Sequence, residues 1–135
     1  MASEFEQIGR EVRALQARRE FVSIAVYKIV GEYAERIAAA GKTCGQCARV
    51  HISSGNIGAV TRTGEPHVCG DVRSDPAYKR CFEGIRAETV MPVKSTAGKL
   101  VGVVDVEAEG DIDAAEIASF ANMLAPLLAT GRVNC

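Results

Sequence analysis

The sequence predicts an α+β domain: an antiparallel β-sheet with the N- and C-terminal helices packed on one face. Apolar residues recur with helical period at both ends of the chain, and β-branched or aromatic segments lie between them. A chain of 135 residues has room for a single domain. Its expected parts are an N-terminal helix at residues 1–20, a sheet and pocket at 21–108, and a C-terminal helix at 111–131.

Each terminal helix begins with a capping signal. Ser3 precedes Glu6 with the capping-box spacing, and Asp113 precedes Glu116 in the same way. Gly131 should end the second helix. The apolar stripes of the two helices could cover the back of the sheet or pair with a second copy of the chain, and a homodimer is expected.

The middle of the chain alternates between strand and loop patterns. Strands are predicted at residues 21–30, 33–37, 66–72, 88–94 and 99–107, and a short helix at 56–63. Residues 41–55 are rich in Gly, Ser, Thr and Cys, which predicts a loop over the sheet with one short strand at most. Loops of this kind often carry functional groups.

Composition and charge exclude several classes of partner. The chain is 47% apolar and 24% charged with a net charge of -1, so it lacks the basic surface that nucleic-acid binding needs. No apolar run approaches the ~18 residues of a membrane span, and the N-terminus lacks a signal-peptide pattern. A cytoplasmic protein is therefore expected, with a small-molecule ligand or substrate, no nucleic-acid or membrane partner and no cofactor.

A series of short motifs lies between residues 55 and 107. They are Thr63-Gly64-Glu65-Pro66, Gly70-Asp71-Val72, Asp75-Pro76-x-Tyr78, Ile85-Arg86-x-Glu88, Met91-Pro92-Val93 and the run GVVDVE at 102–107. In this order and spacing the segment, about half of the chain, resembles the GAF domain family. The resemblance implies a six-stranded antiparallel sheet, a pocket for a small molecule and, as in many family members, pairing through the terminal helices.

The resemblance also implies which residues bind the ligand. They are Glu88, Asp105, Glu107, Asn56, Ile57 and Asp71. Asp105 and Glu107 lie two residues apart, so they share a face of their strand. Acids among valines cost free energy unless a cation or a hydrogen-bond donor meets them, and the alternative is a solvated strand end. The helix start at 55–58 offers backbone N–H groups that suit an anion.

One branch of the family is catalytic, the free methionine-(R)-sulfoxide reductases. Gly41-Lys42 precedes Cys47, and Cys81 lies seven residues before Glu88, the spacing that these reductases use. The resemblance implies that Cys81 attacks the sulfoxide sulfur and that Cys47 resolves the product as a disulfide, which a thioredoxin-like reductant reopens.

This chain departs from the reductase pattern at two positions. Ile57 stands where the reductases have their middle cysteine, and Glu107 replaces the second Asp of an Asp-x-Asp pair. The first hypothesis is therefore a stand-alone GAF domain that binds a small polar metabolite or senses redox state through its pocket thiols. The reductase is the alternative.

The remaining thiols and histidines leave further alternatives open. Cys44 and Cys47 have the spacing of a redox pair, of half a zinc site or of inert loop thiols. Because no second Cys-x-x-Cys follows, no metal site is expected. His67 and Cys69 should share a face of their strand, with His67 at the surface and Cys69 as a buried filler.

Overall fold

The computed structural model describes residues 3–130, and its elements follow the predicted order. The helices are α1 (Glu4–Arg19), α2 (Gly55–Thr63) and α3 (Ala114–Thr130). The strands are β1 (Ser23–Val30), β2 (Tyr33–Gly41), β3 (Arg49–His51), β4 (His67–Cys69), β5 (Ala87–Lys94) and β6 (Leu100–Ala108). They form one six-stranded sheet in the order β3-β2-β1-β6-β5-β4, with antiparallel neighbours.

The predicted caps of both terminal helices are confirmed. The Glu6 N–H donates to Ser3 Oγ at 3.1 Å, which fixes the start of α1. At the start of α3, the Ala115 N–H donates to Asp113 Oδ1 at 3.0 Å. Gly131, the predicted stop of α3, lies outside the described residues.

The two terminal helices pack on the same face of the sheet, as the fold class predicted. Their buried residues include Ile8, Val12 and Leu15 of α1 and Ile117 and Leu128 of α3. These side chains join the helix-facing residues of β1, β5 and β6 in one apolar cluster. The apolar stripes therefore cover the back of the sheet, one of the two uses that the sequence left open. No helix among residues 3–130 is long and apolar enough to cross a membrane.

The opposite face is only partly covered, by α2. Ile57 and Val60 of α2 pack on Tyr27, Val90 and Val103 of the sheet in a second, smaller cluster. Beside this cluster the sheet carries small side chains and leaves a cavity.

The strand predicted at 33–37 is longer in the structure, where β2 continues to Gly41. Two other predicted segments also differ in detail. The strand predicted at 66–72 ends at Cys69, because Asp71 accepts the Arg73 N–H at 3.0 Å and starts a 3₁₀ turn at Val72–Ser74. The loop at 41–55 contains a 3₁₀ turn at Gly45–Cys47 and the one short strand that was allowed for, β3.

Gly58 provides a test of the packing between α2 and β3. A Cβ at this position would lie 2.6 Å from the His51 carbonyl oxygen and 2.8 Å from that of Ile52. In an isolated helix, Gly58→Ala would stabilise by about 1 kcal/mol, because alanine loses less backbone entropy. The backbone clash should reverse the sign, so we expect this variant to lower the free energy of unfolding by about 1–3 kcal/mol in urea denaturation.

Gly110→Ala is the matched control, since a Cβ at Gly110 would meet no atom within 4 Å. Its stability should stay within about 0.5 kcal/mol of the parent. A Gly58→Ala protein as stable as the parent would contradict the close approach of α2 to the end of β3.

Candidate functional site

A cavity of about 240 Å³ lies on the face of the sheet opposite α1 and α3. Its walls are the first turn of α2, the loop of residues 43–47 and residues 79–82, and its floor is the sheet. Ser23, Ala25 and Ala39 line it with small side chains, which leaves the space open. The volume is below the roughly 300–1,000 Å³ of sites for drug-sized ligands, so the cavity suits a molecule the size of an amino acid.

Three acids at the floor form what we call the carboxyl cluster, Glu88, Asp105 and Glu107. Their carboxylate oxygens lie within 4.8 Å of one another. Glu88 stands directly opposite Glu107 in the pairing of β5 with β6, and Asp105 is two residues along the same strand. Glu88 and Glu107 are only 4% and 5% exposed, so the alternative of a solvated strand end is excluded.

Burial changes the titration of the carboxyl cluster. Removal from water raises the pKa of Asp105 well above its ordinary value, and the negative charge of Glu88 raises it further. The same two causes raise the pKa of Glu107 to about 8. Asp105 Oδ1 and Glu107 Oε2 are also buried without a hydrogen-bond partner among residues 3–130. Neutral pH therefore leaves a protonated carboxyl group here, and the unpartnered oxygens suit an ammonium group or another donor.

Asn56 connects the carboxyl cluster to a second group of polar residues. Its Nδ2 donates to Glu88 Oε1 at 3.0 Å and to Asp75 Oδ2 at 2.8 Å. His67 Nε2 lies 2.8 Å from the same Asp75 oxygen. Burial opposes ionisation of Asp75, but the hydrogen bonds from Asn56 and His67 hold its pKa below the ordinary value. Asn56 thus orients Glu88 from α2.

The predicted ligand residues divide between this cavity and the surface. Asn56, Ile57, Glu88, Asp105 and Glu107 all line the cavity. Asp71 is not among the lining residues, because its carboxylate forms an exposed ion pair with Arg73 at 2.7 Å and caps the following turn. Asp71 therefore lies outside the cavity that contains the other predicted ligand residues.

Three cysteines form a thiol cluster at the cavity wall, Cys44, Cys47 and Cys81. Their sulfurs lie within 4.8 Å of one another, and Cys47 Sγ is 3.0 Å from Cys81 Sγ. The loop that carries two of them is fixed to the sheet: Tyr27 Oη donates to the Cys47 carbonyl at 2.7 Å and Arg36 Nη1 to the Cys44 carbonyl at 2.8 Å. The thiols therefore meet because side chains of β1 and β2 hold their loop.

The three thiols of the cluster differ in the direction of their pKa shifts. Burial raises the pKa of the Cys81 thiol, and hydrogen bonds with Cys47 and Cys44 raise it further. Burial also raises the pKa of Cys47. A hydrogen bond from Cys81 instead lowers the pKa of Cys44. The first negative charge in the cluster should therefore form on Cys44, a residue that the sequence singled out only as a partner of Cys47.

The sequence reasoning missed the cations at the cavity wall. Lys79 and Arg80 immediately precede Cys81 and line the cavity, as do Arg36 and Arg49 of β2 and β3. Lys79 Nζ donates to Ser54 Oγ at 2.6 Å, next to the first turn of α2. The sequence signal that could have predicted these cations is the pair of basic residues directly before Cys81. The cavity thus combines acids at its floor with cations at its wall.

Comparison with known proteins identifies the family. The model of the GAF domain matches residues 5–131. The chain belongs to the GAF domain family. Members of this family generally bind small-molecule ligands, which agrees with the position of the cavity. No curated protein sequence matches the chain.

Solved structures of GAF domains and reductases share the fold. A type II free methionine-R-sulfoxide reductase from Thermoplasma acidophilum has a TM-score of 0.86 at 20% identity, covering 98% of this chain and 96% of that one. The Neisseria meningitidis free methionine-R-sulfoxide reductase, solved with its substrate, has a TM-score of 0.83 at 21% identity, covering 94% and 78%.

A GAF domain from a Coxiella burnetii phosphoenolpyruvate-protein phosphotransferase has a TM-score of 0.81 at 20% identity, covering 96% and 84%. The two reductases and this GAF domain are thus about equally similar to the chain. At these identities the similarity is one of fold.

Glu107 should make stability depend on pH. Its pKa rises from an ordinary value of 4.5 to about 8 on folding, so the folded chain binds this proton more tightly than the unfolded chain does. Stability should therefore fall as the pH rises from about 4.5 through about 8. Glu107→Gln removes the titrating group, so its own stability should not show this fall. We expect the free energy of unfolding of the variant, minus that of the parent, to be roughly 1–4 kcal/mol larger at pH 9 than at pH 5.

Glu109→Gln, an exposed neighbour on the same chain segment, is the control for this comparison. Its difference from the parent should be the same at both pH values. If the Glu107→Gln difference were also independent of pH, the burial of a titrating carboxyl group at this position would be refuted.

Mild oxidation should join Cys47 to Cys81. The two sulfurs are 3.0 Å apart and need to approach only to about 2.05 Å. We expect peptide mapping after alkylation of the remaining thiols to identify this disulfide in the parent and in Cys44→Ser, and not in Cys47→Ser. A Cys44–Cys47 disulfide as the main product would contradict the observed arrangement.

Proposed function

We propose that this GAF domain reduces free methionine-(R)-sulfoxide. The observation that carries the proposal is the adjacent Cys47–Cys81 pair on the wall of a cavity whose floor is the carboxyl cluster. The fold similarity to two free methionine-R-sulfoxide reductases supports it. Sulfoxide reduction needs two thiols and a proton donor close to the sulfoxide. The cavity contains two adjacent thiols and a carboxyl cluster that could donate the proton.

The charges of the cavity match a free amino acid. The unpartnered Oδ1 of Asp105, beside Glu88, would accept a hydrogen bond from the substrate ammonium group. The substrate carboxylate would lie near Lys79 and the N-terminal turn of α2, where backbone N–H groups and the helix dipole favour an anion. Recognition of both charged groups would exclude methionine sulfoxide within a peptide chain, where the amino and carboxyl groups are amides.

The reaction would begin at Cys81. Its sulfur attacks the sulfoxide sulfur while the thiol proton passes to Cys44 in its thiolate form, the form that the lowered pKa of Cys44 favours. Glu107, protonated at neutral pH, donates a proton to the sulfoxide oxygen. The oxygen then passes to Cys81 as a sulfenic acid, and methionine leaves.

The second step would take place between Cys47 Sγ and Cys81 Sγ, which lie 3.0 Å apart. The Cys47 thiol attacks the Cys81 sulfur, a disulfide forms, and the sulfenic oxygen leaves as water with the Cys47 proton. The proton held by Cys44 returns through solvent to Glu107. One sulfoxide is reduced and two thiols are oxidised, so an external dithiol such as a thioredoxin-like protein must reopen the disulfide.

A redox-sensing or metabolite-binding GAF domain is the second candidate. Ile57 in place of the middle cysteine favours it, because this cavity wall is apolar where the reductases carry a thiol. Such a domain would bind its ligand or form the Cys47–Cys81 disulfide without turnover. Pairing through the terminal helices stays a prediction for both candidates.

The activity test is NADPH consumption coupled through thioredoxin with free L-methionine-(R)-sulfoxide. We expect turnover in the parent, none in Cys81→Ser, and at most one methionine per chain in the double variant Cys44→Ser/Cys47→Ser, where no thiol of the cluster is left to react with the sulfenic acid. The rate should fall as the pH rises through about 8, because Glu107 loses the proton that it donates.

Cys135→Ser is the control, since it removes a thiol that lies beyond the described residues. Its turnover should equal that of the parent. Absence of turnover in the parent would refute the reductase proposal. Disulfide formation or ligand binding in that inactive protein would then support the sensor.

A further inference from the structure

A second group of candidate ligands lies outside the cavity, at the edge of the sheet. His67 and Cys69 belong to β4, an edge strand of the sheet, and are two residues apart, so they face the same side. Val68 between them is 56% exposed on the other side. Asp75 follows in the turn after the 3₁₀ segment. One nitrogen, one sulfur and one oxygen of these residues lie within 4.8 Å of one another.

We propose that His67, Cys69 and Asp75 bind a zinc ion at this edge, with a fourth position open to water. Tetrahedral zinc accepts this mixture of imidazole, thiolate and carboxylate ligands. The thiolate and the carboxylate together carry the two negative charges that balance the ion. The zinc proposal does not rest on the activity proposed for the cavity.

The distances are compatible with coordination. Zinc bonds of about 2.0–2.3 Å place tetrahedral ligand atoms roughly 3.3–3.8 Å apart, so atoms within 4.8 Å reach the ion through small side-chain rotations. His67 Nε2 and Asp75 Oδ2 are already 2.8 Å apart. The Cys69 thiol donates to the Asp71 carbonyl at 3.2 Å, and metal binding would replace that weak bond.

Hydrogen bonds hold Asp75 in a ligand position. Its Oδ1 accepts the Ala77 N–H at 3.1 Å, and its Oδ2 accepts Asn56 Nδ2 at 2.8 Å. Such outer contacts orient metal-binding carboxylates and increase affinity. The His67 side chain is 32% exposed, so the ion can enter from solvent.

The thiol cluster is a competing site for zinc, and the experiment must separate the two. The background is therefore the full chain with Cys44→Ser, Cys47→Ser and Cys81→Ser combined. We expect it to bind one Co²⁺ per chain, with a thiolate-to-cobalt charge-transfer band from Cys69, and excess Zn²⁺ should remove the band. Adding Cys69→Ser should abolish the band, and adding His67→Ala should weaken binding at least tenfold.

His51→Ala on the same background is the matched control, because His51 is the other histidine of the chain and contacts Glu32 and Ser53 instead. Its cobalt affinity should be unchanged.

A second measurement needs no variant: Zn²⁺ should slow alkylation of Cys69 in the parent chain. Absence of a cobalt spectrum in the triple variant, or a spectrum that survives Cys69→Ser, would overturn the proposal. Unprotected Cys69 at saturating Zn²⁺ would overturn it as well.

Discussion

The pairing of Glu88 with Glu107 across β5 and β6 is the interaction on which the site depends. Two acids that face each other in a sheet repel, and burial multiplies the cost unless a proton or a cation lies between them. The register that imposes this pairing is fixed on the other face, where Met91, Val104 and Val106 pack against the terminal helices. A slip of one residue would move these apolar side chains to the cavity. The helices therefore hold the acids together, and burial beside the charge of Glu88 raises the pKa of Glu107.

The cavity combines groups of very different origin in the chain. The carboxyl cluster stands on the neighbouring strands β5 and β6, whose other face belongs to the main apolar core. The thiols come from two loop segments, and the hydroxyl of Tyr27 and the guanidinium of Arg36 tie one of them to the sheet. Tyr27 is itself buried in the cluster beneath α2. The sheet thus positions the carboxyl cluster and the thiol cluster in one cavity, the arrangement that the proposed reduction requires.

The sequence predicted the fold because its signals are local. The caps at Ser3 and Asp113, and the two-residue spacing of Asp105 and Glu107, each depend on a few neighbouring residues. The depth at which the acids are buried could not be predicted, since it depends on how α2 crosses the sheet. The approach of Cys44 to Cys81 was missed for the same reason: the loop path depends on a hydrogen bond from Tyr27. Asp71 was predicted as a ligand residue from a motif, but its carboxylate pairs with the neighbouring Arg73 outside the cavity.

The absent middle cysteine of the reductase pattern weighs less against catalysis than the sequence suggested. Ile57 lies at that position and gives the cavity an apolar surface, which suits the carbon chain of a thioether amino acid. Cys44, three residues before Cys47, adds a third sulfur to the thiol cluster, and it does so from the loop at 43–47 and not from α2. The pKa of Cys44 is lowered, whereas those of Cys47 and Cys81 are raised, so Cys44 ionises more readily than the other two thiols. A cluster in which one thiol ionises more readily than its two neighbours offers a candidate base beside a candidate disulfide pair, and this combination supports the proposed reduction.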